Sequence, residues 1–142
     1  MFERFRSFAF SVTGGAAALP GLWERVGDDF RGCLILVERT ESGWQGRITY
    51  VPALMRQYGW KVGDLKWRNL QPAGAAMFTA EDLFIELDPD TNKVCKATYH
   101  AARLCFLASD AFAVVTSGRG GRNTRWRRSA HAKSATQTGS EA

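Results

Sequence analysis

From Trp23 onward the chain alternates apolar and polar residues with a period of two, broken by turn signals about every 8 to 12 residues. Period two is the strand period: successive side chains point to opposite faces, so one face can be packed while the other meets water. Strands are predicted at 22–26, 33–39, 46–51, 64–70, 81–88, 112–116 and 123–128, with 94–106 as one bent strand or two short ones. Glu41-Ser42-Gly43 reads as a hairpin turn, and Asp88-Pro89-Asp90-Thr91-Asn92 as a stronger one, because proline presets φ and Asp and Asn bond their own backbone. Within the strands, the alternation places Gly46, Ile48 and Tyr50 on one face. It turns Leu65 and Trp67 inward with Lys66 and Arg68 outward, and turns Leu83, Ile85 and Leu87 inward. Residues 52–63 break the pattern, and 53–58 suits one or two helical turns ended by Gly59. The predicted fold is all-β: an antiparallel up-and-down barrel of eight to nine strands with a short helical insertion near 53–58. Such a barrel removes its exposed edges by closing on itself.

At 142 residues, with 45% hydrophobic and 12% aromatic residues, the chain reads as a single domain able to bury a core without disulfides. Residues 19–129 form the predicted barrel. Residues 1–18 read as a leader or a weak signal-peptide-like segment: Arg4 and Arg6 precede a short apolar run and Ala16-Ala17-Ala18, but Glu3 and Thr13-Gly14-Gly15 interrupt that pattern. A cytoplasmic location is expected unless this segment directs export. From Ala130 the Ala/Ser/Thr/Gln/Gly composition reads as a disordered tail. No apolar run approaches the roughly 18 residues of a membrane-spanning helix, so no transmembrane segment is expected.

The net charge of +5 lies at one end. Thirteen basic and thirteen acidic residues precede Ser117, whereas Arg119, Arg122, Arg125, Arg127, Arg128 and Lys133 follow it against Glu141 alone. Cys33, Cys95 and Cys105 lack metal-ligand spacing and each sits in an apolar run, as buried free thiols do; in an exported chain two of them could pair.

Five short segments carry a family resemblance: Gly21-Leu22-Trp23, Gly46-Arg47-Ile48, Gly59-Trp60-Lys61-Val62-Gly63-Asp64, Ser109-Asp110 and Trp126-Arg127-Arg128. Over residues 19–129 the chain resembles the lipocalin-like (calycin) barrels, especially small bacterial lipocalin-like domains of uncertain function. The resemblance implies that Trp23 lies across the closed end of the barrel under a basic residue of the last strand. Arg128 shares strand parity with Trp126 and is expected in that place, with Arg125 the alternative of opposite parity. Gly21, Trp23, Trp126 and Arg128 are thus assigned to barrel closure. The resemblance also implies a small hydrophobic ligand in the barrel interior. Tyr50, Met55, Tyr58, Trp60, Trp67 and Tyr99 are the candidate ligand-binding residues, the 55–60 group acting as a lid. Ile48 and Ile85 would complete the lining and Asn69 would supply a polar contact. The competing expectation is that these aromatics simply fill an eight-stranded barrel, which is just wide enough for packed side chains or one small ligand.

No catalytic constellation emerges. His100 and His131 are the only histidines, and nucleophilic catalysis needs a base oriented by a third group. Asp28-Asp29, Glu81-Asp82 and the Asp88/Asp90 pair sit at turns or strand ends without the spacing of a calcium loop. Neither a phosphate-binding glycine loop with its lysine nor a His-Glu-x-x-His helix is present. The chain is expected to be no enzyme and to carry no cofactor or metal. The alternative function is a nucleic-acid or acidic-partner binding module: the arginines of 119–128, interleaved with glycine and Trp126, have the composition to grip phosphates and stack a base.

Overall fold

Each strand of the protein bonds to its sequence neighbours around a closed antiparallel barrel, and the last returns to pair with the first. The computed structural model describes residues 18–117 and 123–130. Among these the strands are β1 (Gly21–Val26), β2 (Leu34–Arg39), β3 (Trp44–Tyr50), β4 (Leu65–Pro72), β5 (Met77–Leu87), β6 (Val94–Ala108), β7 (Ala111–Thr116) and β8 (Asn123–Arg128). The segment read as a bent or divided strand is one continuous strand of 15 residues, β6. One short helix, α1 (Ala53–Gln57), follows β3. The leader and tail read from the sequence fall outside the described residues except for Ala18 and Ala130, as do His131, Lys133, Arg119 and Arg122. Among the described residues no helix is long and apolar enough to cross a membrane.

The β1–β8 seam pairs Trp23 with Arg128 and Arg25 with Trp126. Trp23 is fully buried and donates its indole N–H to Leu19 O at 2.9 Å. The Arg128 guanidinium lies 4.2 Å from the centre of that ring. It donates through Nη1 to Pro20 O at 2.9 Å and through Nη2 to Ala18 O. Gly21 has φ of +123°, and a Cβ there would sit 2.8 Å from Arg128 Nη1, so the guanidinium needs both the backbone turn and the missing side chain.

Side chains fill the middle of the barrel. Trp67 packs edge-on against Trp126 at 4.8 Å and against Phe112 at 5.6 Å, and Trp23 meets Phe112 at 4.5 Å. Gly46 makes room: a Cβ on it would come within 2.5 Å of the Trp67 ring and 3.0 Å of Ile35. Trp126 therefore packs above the closed end, on Trp67 and beneath Arg25, and not on the Trp23 stack itself.

Irregularities in β3 and β4 overturn the strict alternation expected from the sequence. In β3, Ile48 faces Ile35 but Tyr50 faces Leu34, so Thr49 is an extra residue and Tyr50 moves to the outer face. In β4, Trp67 faces Gly46 while Leu65 faces Arg47, which leaves Lys66 as the extra residue and re-aims its side chain inward. The faces of β5 are also exchanged. Trp67 pairs with Asp82, so Phe78, Ala80, Asp82 and Phe84 share the inner face while Leu83, Ile85 and Leu87 take the other. The apolar outer residues are covered in part by the 52–63 insertion, where Gly59 sits against Val94, Leu87 and Ile85.

Candidate binding pocket at the barrel mouth

Up-and-down topology sends the β1–β2, β3–β4 and β5–β6 connections and the meeting ends of β7 and β8 to one end of the barrel, opposite the Trp23–Arg128 stack. A pocket of about 200 Å³ opens there. Its walls are aromatic at the rim and charged at the floor. Phe30 of the β1–β2 turn and Tyr58 after α1 approach to 5.7 Å, with Trp60 and Phe84 further in. Tyr58 is 51% exposed, as a rim residue must be.

The floor is built on two buried cations. The alternation that buries Trp23 also turns Arg25 inward, where its guanidinium stands 5.2 Å from the Phe30 ring and 5.8 Å from the Trp126 ring. Arg25 Nε donates to both carboxylate oxygens of Asp28 at 3.0 Å, and Nη2 lies 2.9 Å from Oδ2. Lys66, 7% exposed, sits with Nζ 2.7 Å from Asp82 Oδ1 and donates to Leu83 O at 2.8 Å. The Lys66 ammonium is 4.9 Å from the Trp60 ring and 5.5 Å from the Phe84 ring. Thr116 Oγ1 donates to Asp82 Oδ2 at 2.8 Å, and Thr124 Oγ1 accepts the Trp126 indole N–H at 2.9 Å. Burial pushes the Lys66 ammonium below its ordinary range; Asp82 opposes that shift and Arg25 adds to it. Beside this pair, burial drives the Cys33 thiol up to about 12, so it stays protonated and unreactive.

The residues proposed from the sequence divide among three environments. Tyr58 and Trp60 line the pocket. Met55 is fully buried in the core beneath the insertion and so is no mobile lid residue, and Trp67 is fully buried in the packed centre with its indole N–H unpartnered. Tyr50 and Tyr99 do not line the pocket. Tyr50 is carried outward by the β3 bulge, and Tyr99 donates its hydroxyl to Leu65 O at 2.7 Å under the Arg68 guanidinium, 3.7 Å away. Ile48 is fully buried in the core, Ile85 borders the pocket, and Asn69 is exposed and donates to Glu81. A ligand space lined by Tyr50, Trp67 and Tyr99 is thus replaced by one whose floor is Arg25, Lys66 and Asp82.

Period-two reading missed Lys66 because a bulge breaks parity. It missed Asp82 because three apolar residues on the opposite parity outweighed it. Arg25 was within reach, two residues from Trp23. Of the C-terminal arginines, Arg128 is spent on Trp23, Arg127 lies 3.5 Å from Glu24, and Arg125 is exposed. Among the described residues no cluster of three or more His, Cys, Asp or Glu is arranged to hold a metal ion.

The chain matches no protein-family model, no curated protein and no solved structure.

Proposed function

We propose that the protein is a lipocalin-like, non-enzymatic binding barrel that takes one small molecule at its open end. The observation that carries this reading is the pocket of about 200 Å³ between the aromatic rim and the charged floor. It is smaller than the roughly 300–1,000 Å³ of sites for drug-sized ligands, yet larger than the engineered cavity of about 150 Å³ that holds benzene. A molecule of about one ring is the fitting size. The apolar part of the ligand rests on Phe30, Tyr58, Trp60 and Phe84, as in a lipocalin-like calyx, while the centre of the barrel stays filled by its own side chains. Binding without catalysis is supported by the state of a thiol and an imidazole outside the pocket lining. Cys33 is held as a thiol, and His100 shares its Nε2 with the Thr98 hydroxyl of its own strand at 3.2 Å.

Two-dimensional NMR of the ¹⁵N-labelled protein against a library of single-ring compounds tests the reading. Binding shifts the Trp60 indole and the Thr116 and Thr124 amides while those of the closed end stay still. A library that shifts none of the mouth resonances, with no small molecule retained in a native mass spectrum of freshly purified protein, overturns it.

A further inference from the structure

The hydrogen-bonding inventory of the pocket floor is unbalanced. The Asp82 carboxylate is already paired: Oδ2 accepts from the Thr116 hydroxyl, Oδ1 stands 2.7 Å from Lys66 Nζ as an ion pair without a hydrogen bond to it, and Leu83 O is taken by Lys66. On the donor side, much is left. An ammonium has three N–H groups and a guanidinium five. Lys66 spends one on Leu83 O and faces Asp82 as an ion pair, and Arg25 directs Nε and Nη2 at Asp28. Among the described residues, the remaining Lys66 N–H groups and the Arg25 Nη1 group have no hydrogen-bond acceptor, and both side chains line the pocket. The Thr124 hydroxyl accepts from Trp126 and keeps its own proton to give. Donors from three strands, β1, β4 and β8, therefore converge on one small space in which the carboxylate is already ion-paired with Lys66.

We infer that the ligand is a small planar anion, an aromatic carboxylate of about one ring, whose carboxylate meets Lys66, Arg25 and Thr124 and whose ring lies between the aromatic walls. This rests on the proposed binding function and adds the charge and shape of what is bound. A carboxylate offers about four lone-pair sites, enough to accept from all three groups, and charge-assisted bonds of this kind are roughly twice as strong as neutral ones. The two cations also repel one another, since Arg25 lowers the proton affinity of Lys66. An anion between them removes that cost, whereas a cationic ligand adds to it. Phe30, Tyr58, Trp60 and Phe84 supply the apolar faces a ring needs, and the volume admits no long alkyl chain.

Benzoate, benzamide and benzamidinium form the test, because they share one planar ring and differ mainly in charge. Titrated into the full chain at neutral pH and followed by the Trp60, Thr116 and Thr124 resonances, benzoate is expected to bind at least tenfold tighter than benzamide, with benzamidinium weakest. Lys66→Met is expected to weaken benzoate about tenfold and to change benzamide by less than twofold. If that variant does not fold, the charge series on the unaltered protein decides alone. Equal affinities across the series, or a preference for benzamidinium, overturn the anion inference and leave the small-molecule reading standing. No binding by any of the three, together with an unresponsive mouth in the wider library, removes both.

Discussion

The Arg128 guanidinium caps the indole of Trp23 from directly across the β1–β8 seam, where the two residues are register partners. The contact spans the β1–β8 pairing, the hydrogen-bonded ladder that closes the barrel and without which two edges would be exposed. Trp23→Ala is expected to lose about 3–5 kcal/mol of stability, the range for deleting a buried large aromatic. Arg128→Met removes the cation–π contact and the bonds to Pro20 O and Ala18 O, and should lose about 1–3 kcal/mol. Arg128→Lys should recover only part of it, since an ammonium cannot present the same fork. Chemical denaturation measures all three; a Met variant as stable as the parent would show that the seam closes without this contact.

Lys66 and Asp82 are expected to be strongly coupled. Removing one partner from a buried pair leaves a lone buried charge and costs about 3–5 kcal/mol, whereas replacing both by apolar residues is often neutral or stabilising. Lys66→Met and Asp82→Leu should therefore each destabilise, and the double variant should recover most of the loss. Additive losses in a double-mutant cycle would mean that the pair is not coupled in solution.

Gly46→Ala should destabilise by about 1–3 kcal/mol, as overpacking of a filled core does. The added methyl group meets the Trp67 ring, and the ring is itself held between Trp126 and Phe112. A melting temperature unchanged by this substitution would show that the centre of the barrel has room to spare.

Cys33 predicts a loss of stability at alkaline pH. Its thiol ionises at about 9 when exposed and at about 12 in the fold, because burial disfavours the thiolate. The folded state therefore holds the proton more tightly. The stabilisation is fully present below pH about 9 and is lost progressively as pH rises towards 12. Cys33→Ser should flatten this part of the stability profile relative to the parent. At pH 8 a thiol reagent should modify the exposed Cys95 and leave Cys33 untouched until the protein unfolds.

What the sequence determined by itself was the architecture. Period-two alternation with regular turns specified an all-β meander; its length specified eight to nine strands, of which the structure has eight, and the short helix fell where the alternation stopped. The Trp23–Arg128 contact was legible too, because Arg128 shares parity with Trp126 and the Gly21-Leu22-Trp23 turn marks where the first strand begins. The pocket was legible at Tyr58 and Trp60, which stand in the segment that interrupts the strands, and at Ile85. The tertiary structure alone decided its charged floor. A bulge at Lys66 shifts parity by one residue, and the face of β5 is chosen by its pairing with Trp67 and not by counting apolar residues. Alternation encodes a relation between neighbours along a strand, so a single inserted residue reverses it. The interstrand register that decides which face is inner exists only once the barrel has closed.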